Sequence, residues 1–332
     1  MNGKYGFHPK GLSRRVALAA LLSAVASPAA FSQSFPSRNV SLVTTVSAGG
    51  SIDAVARIIA AGLTKSLGKS VIVDAKPGAG GNVAAGYVAN QPPDGHTLIM
   101  GNSATVTTNP HIYKSIPFDA EKSFTPIIIP ARVNQILVVN PKVEAKTFEE
   151  FVALMKANPG KLNYGSSGIG ASSHLGAEML GLQTGTSATH VPYRGIAPAA
   201  TALLAGQIDF AFDSATTVPH IQEGQLRALA VVGPKRLAAL PDVKAFRELG
   251  LPDMELANSW YFIAAPAGTP KEVVQLLNAE IKKVLELPET INAIKTMGLE
   301  PATSTPEEIA EAWRSDLRRL GPLVKQAKID PQ

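Results

Sequence analysis

Val40-Ser41-Leu42-Val43-Thr44-Thr45-Val46-Ser47-Ala48-Gly49-Gly50-Ser51-Ile52-Asp53 is the stretch of sequence that decides the fold. An apolar, β-branched run passes into a loop of small residues, and apolar residues at helical spacing follow. Such a junction directs free backbone N–H groups and a helix dipole at one point, which suits a small anion. Ser51 is predicted to cap the helix, and Asp53 in its first turn complements the dipole.

The same device recurs at Tyr164-Gly165-Ser166-Ser167-Gly168-Ile169-Gly170-Ala171-Ser172-Ser173-His174, called the serine loop below. Two such loops predict two lobes that close on one solute. Strand and helix signals alternate along the chain, which is typical of βαβ units around parallel sheets. Capping boxes at 147–150, 269–272 and 305–308 predict further helix starts.

Residues 1–32 are predicted to be a bacterial secretory signal peptide. Arg14-Arg15 precede a short apolar run, 16–26, and small residues follow it. The run is too short to span a bilayer, which needs ~20 residues. We therefore expect the mature protein in the periplasm.

Composition excludes several classes of function. The segment 1–32 holds Lys4, Lys10, Arg14 and Arg15 and no acid, so it accounts for most of the formal net charge of +5. The rest of the chain is close to neutral and has no basic run interleaved with aromatics, which argues against nucleic-acid binding. There is no cysteine, hence no disulfide or thiolate chemistry. No metal site and no cofactor are expected, because the histidines lack metal-ligand spacing.

Two glycine-rich segments imitate nucleotide-binding motifs without completing them. The loop 76–82 lacks the Gly-Lys-Ser/Thr ending of a phosphate loop, so we interpret it as a structural turn. The segment 168–173 ends in serine where a dinucleotide fingerprint has glycine or alanine, and no acid follows at the required distance. We interpret it as a nest of N–H groups for a carboxylate.

In their order and spacing, a set of short motifs resembles the Bug family, also called TctC-like, the periplasmic solute receptors of tripartite tricarboxylate transporters. The resemblance covers nearly all of the chain after residue 32. The motifs are Pro36-Ser37-Arg38, Ala48-Gly49-Gly50 with Asp53, Lys76-Pro77-Gly78-Ala79-Gly80-Gly81-Asn82, Pro93-Asp94-Gly95-His96-Thr97-Leu98, Tyr164-Gly165-Ser166-Ser167-Gly168, Ser172-Ser173-His174-Leu175, Val191-Pro192-Tyr193-Arg194-Gly195 and the run from Asp209 to Asp213.

The resemblance implies an α/β, type II periplasmic binding fold, with two lobes of mostly parallel sheets joined by a two-segment hinge. Lobe 1 is expected to comprise 33–132 and 258–332, and lobe 2 to comprise 133–257. The implied function is non-catalytic capture of a small carboxylate for the membrane subunits of a tripartite tricarboxylate transporter. We expect a monomer.

The resemblance also implies the ligand-binding positions. By matching motifs these are Val46, Ser47, Gly49, Gly50, Ser51, Ile52, Asp53, Asn102, Ser103, Ser166, Ser167, Ala171, Ser172, His174, Arg194, Gly195 and Asp213. His174 is expected either to contact the ligand or to position the serine loop. Arg194 either pairs with Asp213 or meets the ligand.

One departure from the family pattern bears on the ligand. The family commonly has Pro-Phe-Pro where this chain has Thr45-Val46-Ser47. Valine in place of a phenyl ring frees volume, so we hypothesise a ligand bulkier than a short aliphatic diacid, such as the aromatic carboxylate terephthalate.

Two alternatives stay open from the sequence. An exported hydrolase would use a serine with His174 and Asp213, although no Gly-x-Ser-x-Gly elbow is present. A ligand-dependent partner of a sensor would use the same cleft and closure.

Overall fold

The computed structural model describes residues 1–4, 6, 35–233, 235–327 and 329. The predicted signal peptide lies almost wholly outside the described residues. Phe35–Gln332 forms one compact unit. Among the described helices, none combines the length and the apolar character that crossing a bilayer requires.

The first sheet, in lobe 1, has seven strands within the described residues. Its strands are β1 Val40–Thr44, β2 Val71–Ala75, β3 Thr97–Asn102, β4 Phe124–Ile128, β5 Ala131–Val133, β11 Ser259–Pro266 and β12 Glu300–Pro301. Their spatial order is β12-β5-β11-β3-β1-β2, and β4 also pairs with β11.

The second sheet, in lobe 2, has five strands in the described part of the chain. They are β6 Gln135–Val139, β7 Asn163–Ser166, β8 Thr189–Pro192, β9 Phe210–Ser214 and β10 Arg227–Val231. Their spatial order is β10-β6-β9-β7-β8.

Helices cover both faces of the two sheets. The α-helices are α1 Ser51–Leu67, α2 Asn82–Ala89, α3 Ala104–Thr107, α4 Asn109–Ile112, α5 Phe148–Ala157, α6 Ser172–Thr184, α7 Ile196–Leu204, α8 Val218–Gln222, α9 Lys271–Leu285, α10 Pro288–Thr296 and α11 Pro306–Gln326. Short 3₁₀ segments lie at Ala79–Gly81, Ala215–Thr217, Phe246–Leu249 and Pro252–Ala257.

The two-sheet α/β architecture agrees with the predicted fold, but the prediction of mostly parallel sheets is wrong. Parallel pairing joins β1 to β2 and β3, and β7 to β8 and β9. The other described pairs are antiparallel. Each antiparallel pair involves β5, β6 or β11, the strands that flank the two passages between the lobes. These strands are added to the sheets outside the βαβ units, so no crossover helix makes them parallel to their neighbours.

Both lobes contain the same βαβαβ unit, although the sequence shows no repeat of fixed period. In lobe 1, β1-α1-β2-α2-β3 gives the order β2-β1-β3; in lobe 2, β7-α6-β8-α7-β9 gives β8-β7-β9. In each unit the second and third strands lie on opposite sides of the first strand, so the direction in which the chain winds reverses there. The two helices of the unit pack on opposite faces of the sheet. The crevice beside the carboxyl end of that strand is where open α/β sheets bind ligands.

The chain passes between the lobes through two asparagines that contact each other. Asn134 separates β5 from β6, and Asn258 immediately precedes β11. The Asn258 Nδ2 donates to Asn134 Oδ1 at 3.3 Å, and Asn258 Oδ1 accepts from the Gln135 amide at 3.1 Å. These bonds tie the outgoing and returning segments together. The lobe boundaries at 133 and 257 stay predictions.

Helix α11 joins the cores of the two lobes. Its first half buries Ile309 and Trp313 beside β3 and β11. Its second half buries Leu320 and Val324 in the core of lobe 2. Apolar residues at helical spacing over 21 residues reach about 30 Å at 1.5 Å per residue, enough to touch both cores.

The predicted helix caps are partly confirmed. Thr305 accepts from the Glu308 amide at 3.1 Å and completes a capping box. Thr147 caps α5 by accepting from the Glu150 amide at 3.1 Å, but the Glu150 carboxylate accepts from the Lys146 amide instead, so that box is only half formed. The box predicted at 269–272 is wrong. Pro270 is the N-cap of α9, because the Thr269 hydroxyl donates to the Pro266 carbonyl at 2.8 Å instead.

Thr305→Ala is expected to lower the free energy of unfolding by about 1 kcal/mol, since it removes the acceptor for an orphan amide at the start of α11. The urea midpoint, at unchanged slope, measures this effect. Thr303→Ala is the control, because Thr303 is exposed and its loss should stay within about 0.5 kcal/mol. Equal losses in the two variants would contradict the capping role.

Candidate functional site

The loop between β1 and α1 presents the start of a helix with glycine, not serine, at the cap. Gly50 is the N-cap, with the extended backbone φ −80° and ψ 168°. The prediction that Ser51 caps the helix is wrong: Ser51 is the first helical residue, and its hydroxyl lies 2.7 Å from the Tyr261 hydroxyl of β11. The first intrahelical bond runs from the Ala54 amide to the Gly50 carbonyl. The amides of 51–53 precede it and have no acceptor within the helix.

Asp53 is held inside this loop by its own neighbours. It accepts from the Gly49 amide at 3.0 Å and from the Arg57 guanidinium at 2.9 and 3.0 Å. The bonds from Arg57, then the bond from Gly49, lower the pKa of the Asp53 carboxyl despite its burial. The Gly49 amide and the negative charge of Asp53 are therefore already paired, so the Asp53 side chain stabilises the conformation of the loop.

Thr45, just after β1, and Thr105 of α3 pack closely against the loop 76–82, called the glycine loop below. Gly81 has φ +97°, and a Cβ on it would collide with Thr105 and Thr45. The Thr105 hydroxyl donates to the Gly80 carbonyl at 3.0 Å. This contact agrees with the structural role predicted for 76–82. The Thr45 hydroxyl is buried without a partner among the described residues.

Asn102 ends β3 and Ser103 follows it, at the same edge of the sheet. Ser103 is buried; its amide donates to the Trp260 carbonyl at 2.7 Å, and its hydroxyl lies 3.3 Å from that of Ser259. Asn102 is half-buried. Of this predicted pair, Asn102 is the one with accessible surface.

The serine loop is tied together by its own side chains. The Ser166 hydroxyl accepts from the Gly168 amide at 3.1 Å, and the Ser173 hydroxyl accepts from the Ser167 amide at 3.0 Å. Ala171 is the N-cap of α6. The amides of 172–174 lie in the first turn, where the helix offers them no acceptor.

His174 makes a contact of the kind expected if it positions the serine loop, one of the two options left open by the sequence. Its Nδ1 accepts from the Gly170 amide at 3.0 Å, which fixes the turn of the serine loop. The ring is buried, and burial, then the nearby His190, lowers its pKa to about 4. At neutral pH the ring is uncharged and acts as an acceptor.

Two residues of this site were missed. His190 contacts Ser166, with its Nε2 2.6 Å from the hydroxyl. Gln135 donates to the Ser172 hydroxyl at 2.7 Å, and its Oε1 is buried without a partner among the described residues. Both lie at positions fixed by strand register, which the sequence does not display.

Asp213 and Arg194 do not form an ion pair in the described part of the chain. Asp213 Oδ1 accepts from the Ser214 amide at 2.6 Å. Its Oδ2 is buried and finds no partner among the described residues. Burial raises the pKa of Asp213 to about 6. Arg194 is exposed, and Gly195, at φ +124°, is the N-cap of α7.

Short helix α4 brings elements of both lobes together. A Cβ on Gly170 of the serine loop would collide with Ile112. On the same helix, the Asn109 amide nitrogen donates to the Gly80 carbonyl at 3.0 Å. The serine loop of lobe 2 and the glycine loop of lobe 1 therefore flank one helix.

The geometry does not assemble the hydrolase considered from the sequence. His174 bonds the Gly170 amide and Asp213 bonds the Ser214 amide, so the two are not joined as base and orienting acid. No group of three His, Cys, Asp or Glu residues suited to a metal occurs in the described residues.

Two surface grooves lie away from both loops. One, about 250 Å³, is in lobe 2 and includes Ile221, Leu226 and Val243. The other, about 470 Å³, lies between α4 and α11 and includes His111 and Pro322. Neither contains a residue of the β1–α1 loop or of the serine loop, the two loops predicted to bind an anion and called the anion-seeking loops below.

Comparison with known proteins gives a consistent set of similarities. Residues 55–329 match the tripartite tricarboxylate transporter family receptor. The chain is 34% identical to a Pseudomonas sp. (strain P51) UPF0065 protein in the tcbD-tcbE intergenic region, covering 96% of each. The structure of R. palustris Rpa4515 with adipate has a TM-score of 0.76 at 33% identity, covering 90% of this chain and 100% of that one. The periplasmic binding protein BugD has a TM-score of 0.73 at 32% identity, with coverages of 90% and 100%.

Proposed function

Because the chain belongs to the family of tripartite tricarboxylate transporter receptors, we propose that it captures a small carboxylate between its lobes and delivers it to the membrane subunits of such a transporter. Receptors of this family are periplasmic solute-binding proteins. The adipate in Rpa4515 supports a carboxylate as the ligand.

The observation that carries this proposal is the equivalence of the two anion-seeking loops. The β1–α1 loop and the serine loop each follow the first strand of the βαβαβ unit of their own lobe. Each presents first-turn amides of a helix beside the point where the winding reverses. Oriented amides and helix dipoles stabilise a carboxylate without a cationic side chain. On this basis, the separate positions named in the sequence analysis, of which Val46 is the first and Asp213 the last, are proposed to line the ligand site.

The apolar residues around these loops favour an aromatic carboxylate. Val46 is half-buried and packs against the core of lobe 1. Ile169 in the serine loop and Ile196 at the start of α7 are 45% and 37% exposed. An exposed apolar side chain gains by covering an apolar ligand surface, at about 25 cal/mol per Å². Terephthalate, with a ring between two carboxylates, is the ligand that we propose.

A calorimetric panel of terephthalate, benzoate, adipate, succinate and glutamate tests the ligand class. We expect terephthalate to bind most tightly. Val46→Phe is expected to lower terephthalate affinity by at least about tenfold, ~1.4 kcal/mol, and to leave adipate affinity within about twofold. The aromatic assignment is wrong if succinate or glutamate binds much more tightly than terephthalate and benzoate. Binding of none of the five would contradict carboxylate capture as proposed.

A further inference from the structure

Two histidine rings are stacked beneath the serine loop. The rings of His174 on α6 and His190 on β8 have centroids 3.9 Å apart and lie within 8° of parallel. The Tyr164 ring of β7 stacks on His190 with a centroid distance of 4.8 Å. Strand register produces this arrangement, because Tyr164 and His190 are direct partners in the β7–β8 pair.

Each imidazole holds one side of the loop. His190 Nε2 contacts the Ser166 hydroxyl, which in turn accepts from the Gly168 amide. His174 Nδ1 accepts from the amide of Gly170, a residue at φ +74°. The pair thus fixes both the strand end and the turn from which the loop leads into α6.

The bond to Gly170 specifies the protonation state of His174. A backbone N–H only donates, so Nδ1 must present its lone pair. In a doubly protonated ring Nδ1 would itself carry a hydrogen, facing the Gly170 hydrogen. The bond cannot form in that state.

The burial of His174 and the stacking of the two rings oppose charge on the pair, whereas a nearby carboxylate favours it. The titratable groups that the structure places around the rings are Tyr164 and Glu178. Glu178 Oε1 lies 4.0 Å from His174 Nε2, and the same oxygen accepts from the Tyr164 hydroxyl. That carboxylate is therefore shared. Two parallel charged rings at the observed spacing would also repel each other.

We propose that His174 and His190 form an acid-sensitive anchor of the serine loop, so that charging the pair detaches Gly170 and the loop loses its ligand-binding shape. The loop transition stands on the contacts above, whereas the loss of ligand rests on the proposed function. Burial lowers the pKa of both histidines, that of His174 to about 4. The anchor therefore holds at neutral pH and opens on acidification.

The first test follows the Gly170 amide by NMR in the ligand-free protein from pH 7.5 to pH 3.5. We expect its signal to shift or broaden with a midpoint below the ordinary histidine value of about 6.5. In His174→Asn the amide oxygen can still accept from Gly170 and cannot titrate, so the transition should disappear. His220→Gln is the control, since His220 bonds Gln225 at a surface site, and its transition should match wild type. An unchanged transition in His174→Asn, or no transition in wild type, overturns the proposal.

The second test compares terephthalate and adipate affinity at pH 7.5 and pH 4.0. Between pH 7.5 and pH 4.0, we expect the affinity for whichever probe binds to fall at least about threefold more in wild type than in His174→Asn. Protonation of the probe itself affects both proteins equally and so cancels in this comparison. Equal losses would overturn the link between the anchor and binding. If neither probe binds, the proposed function fails while the NMR result still decides on the anchor.

Discussion

Gly50→Val is expected to abolish carboxylate binding without disturbing the fold. Gly50 is exposed and extended, a conformation that valine adopts readily. A Cβ there would meet Val46 Cγ2 at 3.8 Å and the Ser47 carbonyl at 3.9 Å, both ordinary contacts. The valine methyl groups would instead occupy the space in front of the first-turn amides of α1. We expect at least about a hundredfold loss of affinity, ~2.7 kcal/mol.

Titration calorimetry of Gly50→Val with the panel compound that binds wild type best measures this loss, and the urea midpoint shows whether the fold is intact. Lys76→Ala is the matched control on the neighbouring glycine loop. Lys76 Nζ lies 3.1 Å from Asp74 and 4.4 Å from the centroid of the Tyr87 ring. Its removal should cost less than about 1 kcal/mol of stability and leave affinity unchanged. Equal losses of affinity from both changes would contradict the site.

Asp213→Asn is expected to stabilise the protein above pH 6 and not below pH 4. The folded-state pKa of Asp213, about 6, lies above its ordinary value of 3.8 because burial disfavours the carboxylate. The stability that the protonated acid contributes is fully present below pH 3.8 and is lost as the pH rises through 6. Each pKa unit corresponds to about 1.4 kcal/mol, so the loss reaches about 3 kcal/mol. Asparagine keeps the acceptor for the Ser214 amide and cannot ionise.

Urea unfolding of wild type and Asp213→Asn between pH 4 and pH 8 measures the difference in unfolding free energy. The difference should grow by about 3 kcal/mol in favour of the variant as the pH rises. His174 acts in the opposite sense, since its lowered pKa removes stability as the pH falls from 6.5 towards 4. That contribution is common to both proteins and cancels. A difference that is constant with pH would show that Asp213 ionises freely.

The features that local sequence fixes were predicted best. The strand, loop and helix around Gly50 follow from β-branched residues, glycines and helical spacing in one continuous segment. Gly68, at φ +67°, ends α1, and Asn82 begins α2 directly after the glycine run. The capping box at Thr305 needs residues within a single turn.

Most of the errors, apart from the capping box at 269–272, depend on distant partners. Ser51 is not the cap because Tyr261, 210 positions away, offers its hydroxyl a partner. His190 and Gln135 join the site through the pairing of β7 with β8 and the position of β6 beside α6. The antiparallel pairs of the first sheet depend on β11 returning from the other lobe. None of these contacts leaves a periodic signal in the sequence.

The position of β11 also sets the order in which the molecule can assemble. All five strands of the second sheet come from 135–231, whereas the first sheet places β11, from 259–266, between β3 and the pair β4 and β5. The second sheet can therefore form from one continuous segment while the first sheet still lacks a central strand. Until Ser259–Pro266 pairs with it, β3 offers an unpaired edge to other unfolded chains. The first sheet is thus the last to be completed, and until then aggregation at the edge of β3 competes with folding.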